Sequence, residues 1–164
     1  MAPTYDDLLA LPAGRSATLV AADMDGNDHL TVSDHVRIAA HGSHVLLSAA
    51  GMTPVRRDTD GATVFTAEHH VRYRHELRVG VVARVHARLV DLSDTAVHLV
   101  GYLVDLEARR AATELEALVL SIDLTTRSVS PFPADVRAAL AETLAAHAML
   151  PWQPRLSGAI AVRH

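Results

Sequence analysis

The stretch VSDHVRIAAHGSHVLLSAAG, residues 32–51, decides the fold. Val32, Val36, Ala39, Ser43, Leu46, Leu47 and Ala50 recur at helical spacing and make one apolar or small face. The spacing predicts a helix from about Val32 to Ala50, capped by Thr31 or Ser33, stopped by Gly51 and followed by Pro54. Gly42 sits in its middle, where glycine costs about 1 kcal/mol against alanine. Either the helix is weak at that point or another backbone comes close to it.

Downstream the period falls from near four to two. In Thr63–Arg74 the odd positions Phe65, Ala67, Val71 and Tyr73 are apolar, and His69 shares their side, which makes it a core histidine. In Val81–Val90 the odd positions Val81, Ala83, Val85, Ala87 and Leu89 face one way and Arg84, His86 and Arg88 the other. Thr95–Leu106 is apolar on both faces and reads as a central strand; Ala111–Asp123 follows after a turn at Ala108–Arg110. These three strands, joined by short links, form an antiparallel meander. A helix over about Pro133–Met149 closes the pattern, Arg15–Asp23 is a short strand, Met1–Gly14 is a lead-in with two prolines, and the tail after Pro151 is irregular. Helix and strand come in runs rather than in alternation, which favours an α+β fold with one long helix laid on a curved antiparallel sheet. The chain reads as a single domain, 1–164, with its core at about 15–150. The Arg- and His-bearing face of the sheet is expected to be solvated or to meet a partner subunit.

Composition excludes several classes. With 164 residues, 49% hydrophobic and 21% charged, the chain is ordered rather than disordered. Cysteine is absent, so disulfides, thiolate nucleophiles and thiolate metal sites are excluded. All 15 basic residues are arginine, so a lysine Schiff base and a P-loop lysine are excluded too. A net charge of −4 and a pI near 6.2 argue against a nucleic-acid binder. No stretch approaches the ~18 apolar residues of a membrane span. Met1–Asp7 has two acids and no basic region, so no secretory signal is expected and the location is expected to be cytoplasmic.

The chemistry concentrates in Asp23-Met-Asp-Gly-Asn-Asp-His-Leu-Thr31, which sets three carboxylates, the only asparagine, a glycine and a histidine directly before a helix start. Helix starts carry unpaired N–H groups and partial positive charge. The acids either stabilise the helix, or one of them does chemistry on a group whose developing oxyanion those N–H groups hold. His35, His41 and His44 do not make a metal site by spacing, because only His41 and His44 share a helix face and no HExxH motif is present. Glu116 lies among apolar strand neighbours and is therefore either paired or in a pocket.

The segment Asp25-Gly-Asn-Asp-His-Leu-Thr31 resembles the Asp-x-Asn-Gly-His-Met-(Asn/Thr) signature of hotdog-fold thioesterases, the 4-hydroxybenzoyl-CoA thioesterase-like group. Gly42-Ser-His-Val-Leu-Leu47 with Gly51-Met52, Glu68-His-His-Val-Arg-Tyr73 with Glu76-Leu-Arg-Val-Gly80, and Ala111-Ala-Thr113 with Glu116 resemble further motifs of the same group in the same order. The likeness is nearest the betainyl-CoA thioesterase branch associated with carnitine dehydrogenase, and covers roughly residues 15–162.

The resemblance implies a hotdog fold, a long central helix wrapped by a five-stranded antiparallel sheet with a C-terminal helix, active as a homodimer or a tetramer. It implies an acyl-CoA substrate, CoA being part of the substrate, and neither metal nor separate cofactor. Asp25 is then the nucleophile or general base, the backbone N–H of Val32 the oxyanion donor, and His29 and Glu68 further catalytic candidates. Asn27, Asp28 and His70 become substrate-binding candidates, with Glu68 and His70 on a strand able to reach the partner's site. Arg56, Arg57, Arg109 and Arg110 are arginines able to pair CoA phosphates. One departure stands out: Asp28 occupies the position where the family usually has glycine. Either the glycine has moved to Gly26 and the loop is re-formed, or Asp28 sets a second charge beside Asp25 and raises one of the two pKa values. Two alternative functions accompany the resemblance: a hotdog enoyl-CoA hydratase, whose Asp-x-Asn-Pro-x-His pattern this chain matches without the proline and one residue short, and a non-catalytic acyl-CoA-binding protein.

Overall fold

The computed structural model describes residues 2–163. Ten elements follow in chain order: α1 (Tyr5–Leu9), β1 (Ala17–Thr18), α2 (Val32–Ala49), α3 (Pro54–Asp60), β2 (Ala62–Tyr73), β3 (Val82–Leu92), β4 (Ala96–Asp105), β5 (Arg110–Asp123), β6 (Ser128–Val129) and α4 (Ala134–Ala148). The strands form one antiparallel sheet in the order β1-β3-β4-β5-β2, and two-residue β6 pairs with β5. The fold is the α+β hotdog: β3, β4 and β5 make the meander, β4 is buried along its whole length, and the long helix α2 packs on these three strands.

The helix sits against the sheet at a contact between two glycines. A Cβ on Gly101 of β4 would lie 2.6 Å from the carbonyl oxygen of Ala39, and one on Gly42 would lie 3.1 Å from the Cα of Gly101. Gly42 is therefore a point of close backbone approach rather than a weak turn of helix. Thr31, not Ser33, is the cap: its hydroxyl accepts the N–H of Asp34. Around this contact Ala39, Leu46, Leu47, Ala87, Leu99, Leu103 and Leu115 form the main core, which Val136 and Leu140 of α4 complete.

Several local expectations change. The strand over Arg15–Asp23 shrinks to Ala17–Thr18, followed by a single 3-10 turn at Ala21–Asp23. There the Asp23 carboxylate accepts the N–H of Val20 at 2.9 Å, a local bond that competes with the sheet ladder. A Thr4–Asp7 capping box makes α1 inside the lead-in, where no element is expected. Thr53, Pro54 and left-handed Gly61 delimit α3. In β2 the register against β5 shifts between Thr66 and Glu68, so Ala67 is the bulged residue and the strict alternation breaks. Phe65 lies opposite Leu120, whereas His69 and Val71 lie opposite Ala117 and Leu115. His69 does share the helix side with Val71, but β2 is the sheet's edge and His69 is exposed there, not a core residue.

The Arg- and His-rich face of the sheet is covered by the chain's own ends rather than by solvent. Leu8 and Leu11 from the N-terminal segment and Trp152 from the tail pack over Val100, Tyr102 and Val104. The tail is irregular, as expected, yet Trp152, Ile160 and Val162 are buried. Arg88, 2% exposed, donates to the carbonyls of Trp152 (2.6 Å) and His147 (3.0 Å) and stacks 4.1 Å above the Trp152 ring. Glu116 is paired: one carboxylate oxygen meets His98 Nε2 at 2.9 Å and the other accepts the Ser157 N–H at 2.6 Å.

Candidate active site

The loop between Met24 and Leu30, which pair as an isolated bridge, is closed by backbone and by one carboxylate. The Asp25 N–H donates to the His29 carbonyl at 2.8 Å, and Asp25 Oδ1 accepts the N–H groups of Asn27 (2.8 Å) and His29 (3.1 Å). Both bonds fall on Oδ1, so the second oxygen is not consumed by the loop's backbone. They hold the Asp25 carboxyl below the ordinary carboxylate range, the Asn27 bond contributing most. Asp25 is thus an exposed, ionised carboxylate at neutral pH.

Asp28 explains its own departure from the signature. Its φ is 59°, the left-handed region that glycine favours and that aspartate tolerates better than most residues. The loop keeps a left-handed residue at this position, and Gly26 does not take over that role, since its φ is not positive. The lowered Asp25 carboxyl shows no sign of a like charge pressing on it.

The His29 side chain is held by a residue outside the loop. Its Nε2 meets Glu76 Oε2 at 2.7 Å, and the other Glu76 oxygen holds Arg78 at 2.8 Å. The backbone adds a second tie, Leu30 N–H to the Leu77 carbonyl at 2.8 Å. Glu76 lies 47 positions from His29 and no spacing rule joins them; only its place in the Glu-Leu-x-x-Gly motif gave a signal. Behind the loop, Arg37 bridges Asp34 (2.6 Å) and Asp23 (3.6 Å), and the Thr31 N–H reaches the Asp23 carbonyl at 2.9 Å.

Val32 is the first residue of α2, where an N–H has no acceptor within the helix, and its side chain is exposed. Asp25, Asn27, Asp28 and His29 lie on the loop that leads into α2, and Val32 opens that helix. Glu68 and His70 do not join them: both lie on β2, on the face away from the helix, opposite Leu118 and Glu116, and no hydrogen bond or ion pair links either to the loop. His70 Nδ1 is buried without a partner. Sequence reasoning weighed His35 only as a metal ligand; its buried ring bonds Thr113 Oγ1 at 2.6 Å and meets Tyr73 edge-on beneath the helix start. Among the described residues no group of three or more His, Asp or Glu is placed to hold a metal ion, and no helix is long and apolar enough to cross a membrane.

A hotdog sheet and helix with an acidic loop at the helix start define a thioesterase-type domain. Residues 19–140 match the model of the thioesterase-like superfamily, and the chain belongs to that family. It is 25% identical over 128 residues to a betainyl-CoA thioesterase of Pseudomonas aeruginosa, covering 78% of this chain and 80% of the relative. It is also 25% identical over 130 residues, 79% of this chain, to an L-carnitine dehydrogenase/betainyl-CoA thioesterase of Rhizobium meliloti, of which it spans 26%. Among solved structures, a Staphylococcus aureus protein determined in complex with CoA superposes with a TM-score of 0.81 at 23% identity, over 93% of this chain and 96% of that one.

Proposed function

We propose that this protein hydrolyses an acyl-CoA thioester to the free acid and CoA, with Asp25 as the reacting carboxylate. The observation that carries the reading is the Asp25 carboxylate itself, fixed by two amides of its own loop directly ahead of the N-terminus of α2. Its lowered pKa keeps it ionised, the form required either for attack on the thioester carbonyl or for activation of a water molecule. The Val32 N–H is the oxyanion donor; such a donor contributes about 3–4 kcal/mol in other acyl-transfer enzymes. His29, steadied by Glu76, stands beside the nucleophile, and Asn27 and Asp28 face the entering substrate. The family relatives named for betainyl-CoA support a small acyl group.

The working unit is a homodimer joined through β2. This strand runs for 12 residues at the sheet's end with its outer edge unpaired, and Phe65 and Tyr73 upon it are 43% and 49% exposed. A long open edge of this kind calls for a partner strand. Pairing there brings Glu68 and His70 of one protomer toward the loop of the other. An acyl-CoA substrate fits a cytoplasmic setting. The test is release of free thiol from a panel of acyl-CoAs, with crotonyl-CoA followed in parallel by its enoyl absorbance. Thiol release with at least one short acyl-CoA is expected; loss of the enoyl absorbance without thiol release would overturn the reading.

A further inference from the structure

Outside the helix-start site, the face of the sheet under the chain ends carries a cavity of about 420 Å³ between α1, the end of β2 and the β4–β5 turn. Its lining includes Arg74, Arg109, Arg110 and Arg155 together with Tyr5 and Tyr102. The carboxylate that also lines it, Glu114, is engaged by Arg74 at 2.8 Å. Arg109 is held by Asp6 at 3.1 Å and stacks 4.2 Å above Tyr5. The guanidinium groups of Arg110 and Arg155 have no acidic partner among the described residues. The other arginine pair of the sequence is different: Arg56 is tied to Asp135 and Arg57 to Asp58, so neither guanidinium is free for a ligand.

A second, independent observation comes from the cavity wall. Tyr102 is 1% exposed, and its hydroxyl is buried without a hydrogen-bond partner among the described residues. A buried polar group left unpaired is destabilising by about 1–3 kcal/mol, so a fold that keeps one beside an open cavity gains if a ligand completes the bond. Burial pushes the phenol's pKa up, so the group stays a donor at all ordinary pH values. Guanidinium forks and a hydroxyl donor lining one cavity with a surplus of positive charge suit the acceptor oxygens of a phosphate.

We propose that this cavity is an oxyanion site that binds a phosphate group through Arg110, Arg155 and the Tyr102 hydroxyl. The phosphate comes from one of two sources, the nucleotide end of CoA or a free phosphate; the first rests on the thioesterase reading, the second does not. His75, which lines the cavity, precedes Glu76, the partner of His29, so the site lies next to the strand end that supports the candidate active site.

The test is calorimetric titration of the full chain with inorganic phosphate at constant ionic strength, then with CoA and with 3′-dephospho-CoA. Saturable phosphate binding is expected, at least tenfold weaker in Arg110→Ala/Arg155→Ala, whose changed residues are both exposed, and severalfold weaker in Tyr102→Phe. Displacement of phosphate by CoA but not by 3′-dephospho-CoA assigns the site to the 3′-phosphate; displacement by neither assigns it to a free anion. Asp25→Asn is expected to bind phosphate as the wild type does, so a failed hydrolase reading leaves this proposal standing. No saturable binding of phosphate or CoA, or equal binding by the double arginine variant, would overturn it.

Discussion

The two faces of the sheet are built by opposite means. Toward α2 the surface is aliphatic, and the helix comes down until Gly42 and Gly101 meet. On the other face His86, Arg88, His98 and Glu116 are buried, and segments from both ends of the chain cover them and bond Arg88 and Glu116. The first face relies on shape, so its sensitivity is to added volume. The second relies on hydrogen bonds made by charged groups out of water, so its sensitivity is to a lost partner. Residues a sequence reader would assign to solvent thus hold the tail in place, and the tail seals them in.

The largest effect expected from breaking this contrast is on Arg88. Arg88→Ala removes the side-chain donor to the Trp152 and His147 carbonyls and empties the space over the indole. A loss of about 3 kcal/mol is expected, read as a fall of about 10 °C in Tm. Gly101→Ala attacks the other face: its Cβ would sit 2.6 Å from backbone oxygen, which cannot swing aside. It is expected to destabilise by about 2 kcal/mol, measured by urea unfolding with an unchanged m value. Glu116→Gln keeps the shape but removes the charge between His98 and Ser157. About 1 kcal/mol should be lost, with faster amide exchange at Ser157 and no change around Gly42. A result in which Gly101→Ala frees the tail while Arg88→Ala leaves it protected would reverse the assignment of the two faces.

The smallest effect is that of pH. Burial lowers the pKa of His35, His86 and His147, and the Leu89 N–H donates to His147 Nδ1 at 2.9 Å, which requires that nitrogen unprotonated. Above the unfolded value of about 6.5 these rings are neutral in both states and their contribution is complete. As pH falls below that, the unfolded chain takes up protons that the folded chain resists, so stability declines until the lowered folded values are passed. Thermal melts between pH 7.5 and 5 check this; a Tm rising on acidification would contradict it.

The same contrast explains what the sequence disclosed. The helix, the four long strands and the last helix were legible because each answers to a short-range period, and Thr31 and Gly51 mark ends by local chemistry. The bulge at Ala67 was not, because it alters the alternation by one residue without a composition signal, and it moves Phe65 to the opposite face from Val71. Burial of Arg88 was equally hidden, and Glu116, read as either paired or in a pocket, could not be given its partner, since Trp152 and Ser157 lie 64 and 41 positions away. At the candidate site, Asp25, Asn27, Asp28, His29 and Val32 are neighbours in sequence and could be grouped by reading alone. The left-handed turn at Asp28 and the reach of His29 to Glu76 needed the third dimension.

The central claim is that the Asp25 carboxylate performs the chemical step, and Asp25→Asn tests it with almost no change in volume. Turnover of the best acyl-CoA should fall at least 100-fold in kcat, about 2.7 kcal/mol of transition-state stabilisation, while the melting temperature and CoA binding stay near wild type. Undiminished kcat in a folded Asp25→Asn protein would contradict the account.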